Sequence, residues 1–205
     1  DLRLISDGTW DELYTATKAL AGVLRSQGRR VYEIPVGGSS AIGAFAFFQA
    51  GLELQEQLRQ ASAAGPGAFD WIVFASSSGS THAGLAYAFH GSGTKILGIA
   101  CDPEPELIDD FHALYGDLEA LVGEKRPMNR DDWLLDLNFV GPGYGIPSVA
   151  GNAAIRTLAR AEGVFLDPIY TGKAFAGLLA LVGSGEISGR VLFWHTGGIP
   201  ALFAS

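Results

Sequence analysis

The chain has 205 residues, of which 48% are hydrophobic and 18% charged, a composition that excludes an intrinsically disordered protein. The 14 basic and 22 acidic residues give a net charge of −8, which argues against a nucleic-acid-binding surface. Every apolar run falls short of the roughly 18 residues of a membrane-spanning helix, so we predict neither a nucleic-acid nor a membrane partner.

The first predicted elements lie before a break at Pro35. Residues Leu2–Ile5 have the pattern of a strand, and Thr9 and Glu12 have the spacing of a capping box that starts a helix. Gly28 is a plausible end of that helix. Residues Val31–Ile34 are again predicted to form a strand.

After the break, apolar runs of strand length alternate with segments of helical spacing, and 28 glycines, about twice the usual share, lie at their ends. The predicted strands are 71–75, 96–100, 164–166 and 191–194. The predicted helices are 41–61, 82–89, 103–122, 148–162 and 173–182, with an irregular segment over 131–147. This alternation predicts an α/β fold with a doubly wound, mostly parallel sheet and helices on both faces.

Ligands of such sheets bind at the carboxyl ends of the strands, which directs attention to loops 76–82, 141–147, 167–172 and 195–198. The first loop, Ser76–Thr81, offers five hydroxyls and one glycine at a helix start but no Lys or Arg. Helix N-termini bind anions, so the loop suits the single phosphate of an organic cofactor. A cluster of N-capping residues without a ligand is the alternative.

Other sites are disfavoured by the residues present. Neither a nucleotide P-loop nor a Gly-x-Ser-x-Gly nucleophile motif occurs, and the four histidines lack metal-ligand spacing, so we predict no metal. Cys101 is the single cysteine, which excludes an internal disulfide and favours a reducing compartment; we predict a cytoplasmic protein.

Five ordered segments resemble the pyridoxal-phosphate-dependent enzymes of fold type II, whose large domain is tryptophan synthase beta-like. The similarity is to the branch that contains D-cysteine desulfhydrase and 1-aminocyclopropane-1-carboxylate deaminase. The matching segments are Pro35-Val36-Gly37-Gly38-Ser39, residues 75–85, Gly143-Tyr144-Gly145-Ile146-Pro147, residues 167–174 and His195-Thr196-Gly197-Gly198.

The resemblance implies pyridoxal 5'-phosphate as cofactor and assigns roles to individual residues. It implies that the cofactor phosphate is held by Ser78, Gly79, Ser80 and Thr81. It further implies that catalytic Tyr144 and Tyr170 face a small amino-acid substrate, that Thr171 meets the pyridine nitrogen, and that Thr196 and Gly197 close the pocket near the ring.

The residue after Tyr170 separates two activities within the branch. The deaminase has a Glu there, which stabilises a protonated pyridine and a strong electron sink, whereas Thr171 is neutral. This favours a lyase that carries out α,β-elimination on a 3-substituted amino acid such as D-cysteine, giving pyruvate, ammonia and sulfide. A sulfonate leaving group is a close variant, and the cyclopropane deaminase or a catalytically inactive cofactor-binding fragment are the alternatives.

The family's Schiff-base lysine lies in an N-terminal segment that this chain does not match. Its lysines are Lys18, Lys95, Lys125 and Lys173, and none has the family's Gly-Asn-Lys context. We therefore expect the C-terminal two-thirds of the enzyme, with residues 1–35 as the tail of a smaller α/β domain and 36–205 as the large cofactor-binding domain. The missing N-terminal segment is an expected partner, the resemblance implies a homodimer, and the chain alone is expected to be inactive.

Overall fold

The computed structural model describes residues 3–5, 8–61, 68–104 and 106–203, and the chain divides into two compact units, Asp1–Val36 and Gly37–Ser205. The first unit contains helix α1 (Trp10–Ser26), which opens with the predicted capping box: the Thr9 N–H donates to the Glu12 carboxylate at 2.7 Å. The predicted strands are wrong over the described residues, because 3–5 and 31–34 form none; Leu2 lies outside the described residues. The assignment of 1–35 to a smaller domain stays a prediction.

A parallel sheet of four strands forms the centre of the second unit. The strands are β1 (Trp71–Ser76), β2 (Lys95–Ala100), β3 (Leu134–Asp136) and β4 (Val191–Trp194), in the order β3-β2-β1-β4. β1 pairs with both β2 and β4 in parallel, and β2 pairs with β3, which confirms the predicted parallel sheet.

Two strand predictions in this unit are corrected. β3 lies within the segment predicted to be irregular, and its three residues pair with Leu97–Ile99 of β2. Residues 164–166 form no strand. Three residues carry too little periodicity to signal a strand, and an apolar run becomes a strand only when a neighbour accepts its backbone hydrogen bonds.

Helices cover both faces of the sheet, as predicted. The helices are α2 (Ala41–Ala61), α3 (Ser80–Ala88), α4 (Leu107–Val122), α5 (Val149–Glu162) and α6 (Thr171–Ser184). Successive side chains of a strand point to opposite faces. Accordingly Ile72 and Phe74 of β1 pack in a core with α2, α3 and α4, whereas Val73 packs in a second core with α6.

This arrangement brings the loop after β1, the loop after β4 and the start of α6 to one end of the sheet. Over the described ranges, no helix is long and apolar enough to cross a membrane. Within the same ranges, no group of three His, Cys, Asp or Glu side chains is placed to hold a metal ion.

Candidate functional site

A cavity of about 230 Å³ lies at the carboxyl ends of β1 and β4. Its walls come from the loop after β1, from the start of α6 and from the loop after β4. The residues that line it are Ala75, Ser76, Ser77, Ser78, Gly79, Thr81, Tyr170, Thr196, Gly197 and Gly198. Six of the nine site residues predicted from the sequence therefore line one cavity, namely Ser78, Gly79, Thr81, Tyr170, Thr196 and Gly197.

One wall of the cavity is the start of a helix with free donors. α3 begins at Ser80, and its N-cap residue, Gly79, makes no side-chain capping bond. The first N–H groups of a helix have no acceptor within the helix, and the helix dipole makes this end partly positive. The hydroxyls of Ser78 and Thr81 line the same wall. Such donors suit an anion, and among the described residues no Lys or Arg lines the cavity; the predicted phosphate contacts of this wall stay predictions.

Gly79 is required at this wall for two reasons. Its φ of +100° lies in the left-handed region, which residues with a Cβ rarely adopt. A Cβ there would also lie 2.5 Å from Cδ1 of Phe111 and 2.9 Å from Cδ1 of Leu114 on α4. The packing against α4 is a constraint that only the fold reveals.

Ser80 is buried and holds the starts of two helices together instead of lining the cavity. Its hydroxyl donates to the Gly38 carbonyl at 3.5 Å and accepts from the Ser40 N–H at 3.3 Å. A Cβ on Gly37 would collide with the Ser78 hydroxyl, so the segment before α2 is packed tightly against the loop Ser76–Thr81, called the phosphate loop below for its predicted ligand. The predicted phosphate contact of Ser80 stays a prediction.

Tyr144 reaches the site through a hydrogen bond with Tyr170. The two hydroxyl oxygens are 2.6 Å apart, and the rings meet edge to face with centroids at 6.1 Å. Burial raises the pKa of Tyr170, and the hydrogen bond with Tyr144 raises it further. Tyr170 therefore keeps its proton at neutral pH and is a proton donor in this pair or toward a ligand.

Thr171 is fully buried and does not line the cavity. Its hydroxyl donates to Oδ1 of Asp167 at 2.6 Å and accepts from the Asp167 N–H at 2.9 Å. The Asp167 carboxylate also accepts the backbone N–H groups of Ile169, Tyr170 and Thr171. The single hydroxyl proton of Thr171 is thus already given to Asp167 and is not directed at a cofactor. The contact with the pyridine nitrogen stays a prediction.

Two functional neighbours were missed by the sequence analysis. Asp167 organises the start of α6, and Gly198 lines the cavity directly over it, because a Cβ on Gly198 would lie 2.6 Å from the Asp167 carboxylate. Both residues stand inside matched segments: Gly198 directly follows Gly197, and Asp167 lies three residues before Tyr170. Membership of those segments was therefore the available signal.

The loop after β4 is held by His195. The Gly197 N–H donates to Nδ1 of His195 at 3.0 Å, and Nε2 lies 2.8 Å from the Phe165 carbonyl. A carbonyl only accepts, so Nε2 carries the proton and Nδ1 is the acceptor. This neutral tautomer fixes Thr196 and Gly197 at the cavity.

None of the four lysines lines the cavity in the part of the chain that the structure describes. Lys173 is fully buried, and its Nζ donates to the Gly143 carbonyl at 2.8 Å. Lys95 lies at the start of β2, with Nζ 4.5 Å from the centroid of the Trp71 ring, and Lys125 lines a separate groove beside α4. Lys18 belongs to α1 of the first unit.

Comparison with known proteins matches this chain to one family and to named relatives. The model of the family described as pyridoxal-phosphate dependent enzyme matches residues 2–197. D-cysteine desulfhydrase of Serratia proteamaculans strain 568 is 40% identical over 194 residues, 90% of this chain and 56% of the relative. D-cysteine desulfhydrase of Salmonella newport strain SL254 is 39% identical over 196 residues, 91% of this chain and 56% of the relative.

A solved structure shares the fold. The crystal structure of an ACC deaminase homologue superposes with a TM-score of 0.82 at 32% identity, over 96% of this chain and 58% of that chain. The chain thus spans little more than half the length of the relatives that it matches. The sheet and helices described above are those of a fold type II enzyme, as the sequence predicted.

Proposed function

The chain belongs to the pyridoxal-phosphate-dependent enzyme family, and from that premise we propose that it forms the phosphate-binding wall and the tyrosine pair of a lyase active site. The proposed reaction is α,β-elimination on a 3-substituted amino acid, with D-cysteine as the substrate that the named relatives support. The observation that carries the proposal is the single cavity that both the start of α3 and Tyr170 line.

The residues of the cavity fit the family's cofactor, pyridoxal phosphate. The N–H groups at the start of α3 and the hydroxyls of Ser78 and Thr81 are donors for a phosphate ester. Thr196 and Gly197 line the same cavity, and the resemblance assigns them to the side that closes over the ring. When bound, the cofactor supplies a conjugated ring that takes up the electron pair released at the substrate's Cα.

Tyr170 is the proposed proton donor to the leaving group. In the elimination, the Cα–H and Cβ–S bonds of D-cysteine break, and sulfur leaves with the bonding pair and takes up a proton. Water replaces the amino group, so that D-cysteine and one water give pyruvate, ammonia and hydrogen sulfide. Tyr170 lines the cavity and carries a phenol proton, and Tyr144 orients it through the 2.6 Å hydrogen bond.

The lysine that binds the cofactor's aldehyde is expected from residues outside this chain. The support is the placement of the four lysines, which all lie away from the lining of the cavity in the described structure. We accordingly propose that the 205-residue chain alone is inactive, and that a further segment completes the site. The homodimer implied by the resemblance and the cytoplasmic location predicted from the single cysteine also stay predictions.

The cyclopropane deaminase is the competing activity, supported by the fold shared with the ACC deaminase homologue. The test incubates the complete purified enzyme, loaded with pyridoxal phosphate, with D-cysteine, L-cysteine and 1-aminocyclopropane-1-carboxylate. We expect sulfide and pyruvate from D-cysteine and little 2-oxobutanoate. Tyr170→Phe should lower kcat for D-cysteine by about 10²-fold while cofactor binding persists. Preferential release of 2-oxobutanoate, or full activity of Tyr170→Phe, would contradict the proposal.

A further inference from the structure

Lys173 is a charged residue in a place that penalises charge. It is fully buried, and a lysine is almost never fully buried unless it is paired. It is also the third residue of α6, where the helix dipole disfavours a cation. Burial lowers the pKa of Lys173, while the neighbouring acidic groups Cys101, Asp102 and Asp167 act to raise it. A Met or Leu would fill this position at lower electrostatic cost, which points to a role for the ammonium group itself.

The ammonium group holds a loop by one backbone carbonyl. Its Nζ donates at 2.8 Å to the oxygen of Gly143. The same carbonyl accepts the Ile146 N–H at 3.4 Å, so that residues 143–146 form a turn with Tyr144 as its second residue. Gly143 and Gly145 have φ values of +148° and +74°, which shape the turn but leave its backbone without side-chain anchors at these two positions.

The first turn of α6 therefore holds the turn 143–146 at two points. The first is the hydrogen bond from Lys173 Nζ to the Gly143 carbonyl. The second is the hydrogen bond between the hydroxyls of Tyr144 and Tyr170, the residue immediately before α6. Tyr144 is more than one-third exposed, so packing alone does not fix its ring. Removal of the buried anchor would release the Gly143 carbonyl and with it the backbone that carries Tyr144.

We propose that Lys173 is a positioning residue that sets the distance between the hydroxyls of Tyr144 and Tyr170 by holding the Gly143 carbonyl. The positioning of the turn by Lys173 follows from the contacts described above. The effect of Lys173 on turnover rests on the proposed function. Misplacement of a group in the site by about 1 Å lowers a rate by as much as 10²-fold. Lys173 would thus control the proton transfer at the leaving group without touching the substrate.

The first test measures the loop without reference to activity. Hydrogen–deuterium exchange of the holoenzyme is compared for wild type, Lys173→Met, which keeps the length of the side chain, and the control Lys95→Met, which removes an exposed ammonium at the other end of the sheet. We expect exchange of peptide 141–147 to become at least tenfold faster in Lys173→Met alone, with β1 and α3 unchanged. Unchanged exchange in that peptide would overturn the proposal.

The second test asks whether Lys173 acts through Tyr144. Lys173→Met and Tyr144→Phe should each lower kcat for D-cysteine with a smaller change in KM, and the double variant should be no worse than the poorer single variant. Effects that multiply would overturn the proposal, because a general loss of stability acts independently of Tyr144. Lys95→Met should leave both constants unchanged.

Lys173→Met removes a buried hydrogen bond, so a second variant covers the case in which it does not fold. Where Lys173→Met fails to fold, Lys173→Gln is measured in the same way, because its amide retains a donor on a shorter side chain. Failure of both variants to fold would assign Lys173 to stability and overturn the proposal. Failure of the proposed function has a different signature, since wild-type enzyme would then release no sulfide while the exchange result for peptide 141–147 would still stand.

Discussion

The hydroxyl of Thr171 donates to the carboxylate of Asp167 at 2.6 Å, and both residues are completely buried. The bond closes a network in which Asp167 accepts the first free N–H groups of α6. A buried carboxylate is stable only when hydrogen bonds replace its hydration. Thr171 thus supports the helix that presents Tyr170, whereas Thr196 is exposed at the cavity.

This relationship predicts different consequences for two isosteric substitutions. Thr171→Val should lower the free energy of unfolding by about 1–3 kcal/mol, because it removes a donor from Asp167 and leaves the Asp167 N–H without its acceptor. Thr196→Val should change stability by less than about 0.5 kcal/mol and weaken binding of pyridoxal phosphate. Chemical denaturation and a spectroscopic cofactor titration measure both. Cofactor loss at unchanged stability in Thr171→Val would instead support the pyridine contact expected from the resemblance.

The fold could be predicted where a pattern is long and local. β1 and β4 are continuous apolar runs that end in Ser- or Gly-containing loops, and the capping box of Thr9 fixes the start of α1. The site was harder to predict. The contact of Lys173 with Gly143, 30 residues away, is long-range and no local pattern encodes it. Thr171 and Asp167 are only four residues apart, but hydropathy does not show that the Thr171 hydroxyl points to Asp167 and away from the cavity. The apolar residues 164–166 were wrongly predicted to be a strand. Hydropathy does not show whether a segment pairs with a neighbouring strand, and in the fold these residues form no strand.

Gly79 should be far less replaceable than Gly91, although both have positive φ, +100° and +74°. Alanine at either position costs about 1–2 kcal/mol of backbone strain. Only at Gly79 does the new Cβ press against Phe111, which adds about 1–3 kcal/mol of overpacking, whereas nothing lies within 4 Å at Gly91. Denaturation of the two alanine variants measures the difference, and titration with inorganic phosphate should show weaker binding for Gly79→Ala alone. Equal losses of stability would contradict the prediction, because they would mean that α4 shifts to accommodate the new Cβ at no energetic cost.

Tyr144→Phe should lower the pKa of Tyr170, because the hydrogen bond that Tyr170 makes with Tyr144 is one of the two main causes that raise it. Burial, the larger cause, remains, so the pKa should stay above the ordinary value of about 10. Alkaline difference spectroscopy of the phenolate measures the shift, with Tyr170→Phe variants subtracted to isolate this group. A Tyr170 that titrates identically with and without the Tyr144 hydroxyl would contradict the prediction.

The same shift gives a pH dependence of stability with a defined sign. A phenol whose pKa is higher in the folded state than in the unfolded state stabilises the fold fully below pH of about 10. That contribution is lost as the pH rises above this value. Wild-type protein should therefore lose stability more steeply in alkali than Tyr170→Phe does.

His82 should make the protein sensitive to acid, because its ring is buried beneath the phosphate loop. It packs against Phe74, Phe111 and Trp133 with centroid distances of 5.0–5.1 Å, and its Nδ1 lies 3.2 Å from the Ser76 hydroxyl. Burial lowers the pKa of His82 to about 3, against a smaller opposing effect of a backbone hydrogen bond with Ile96. In the unfolded chain the histidine takes up a proton at a pH of about 6.5. The contribution of the neutral, buried His82 to the free energy of unfolding is therefore complete above that pH and is lost below it.

As the pH falls from about 6.5 toward 3, this single group should reduce the free energy of unfolding by up to about 1.4 kcal/mol per pH unit. His82→Phe keeps the aromatic contacts and removes the proton site, so its stability should fall less steeply over this range. Ser76→Ala is the matched control: it removes the neighbouring hydroxyl but keeps the imidazole, and it should retain the wild-type steepness. Urea denaturation at half-unit steps of pH measures the three slopes. Identical slopes for wild type and His82→Phe would assign acid sensitivity to carboxylates and not to the histidine beneath the phosphate loop.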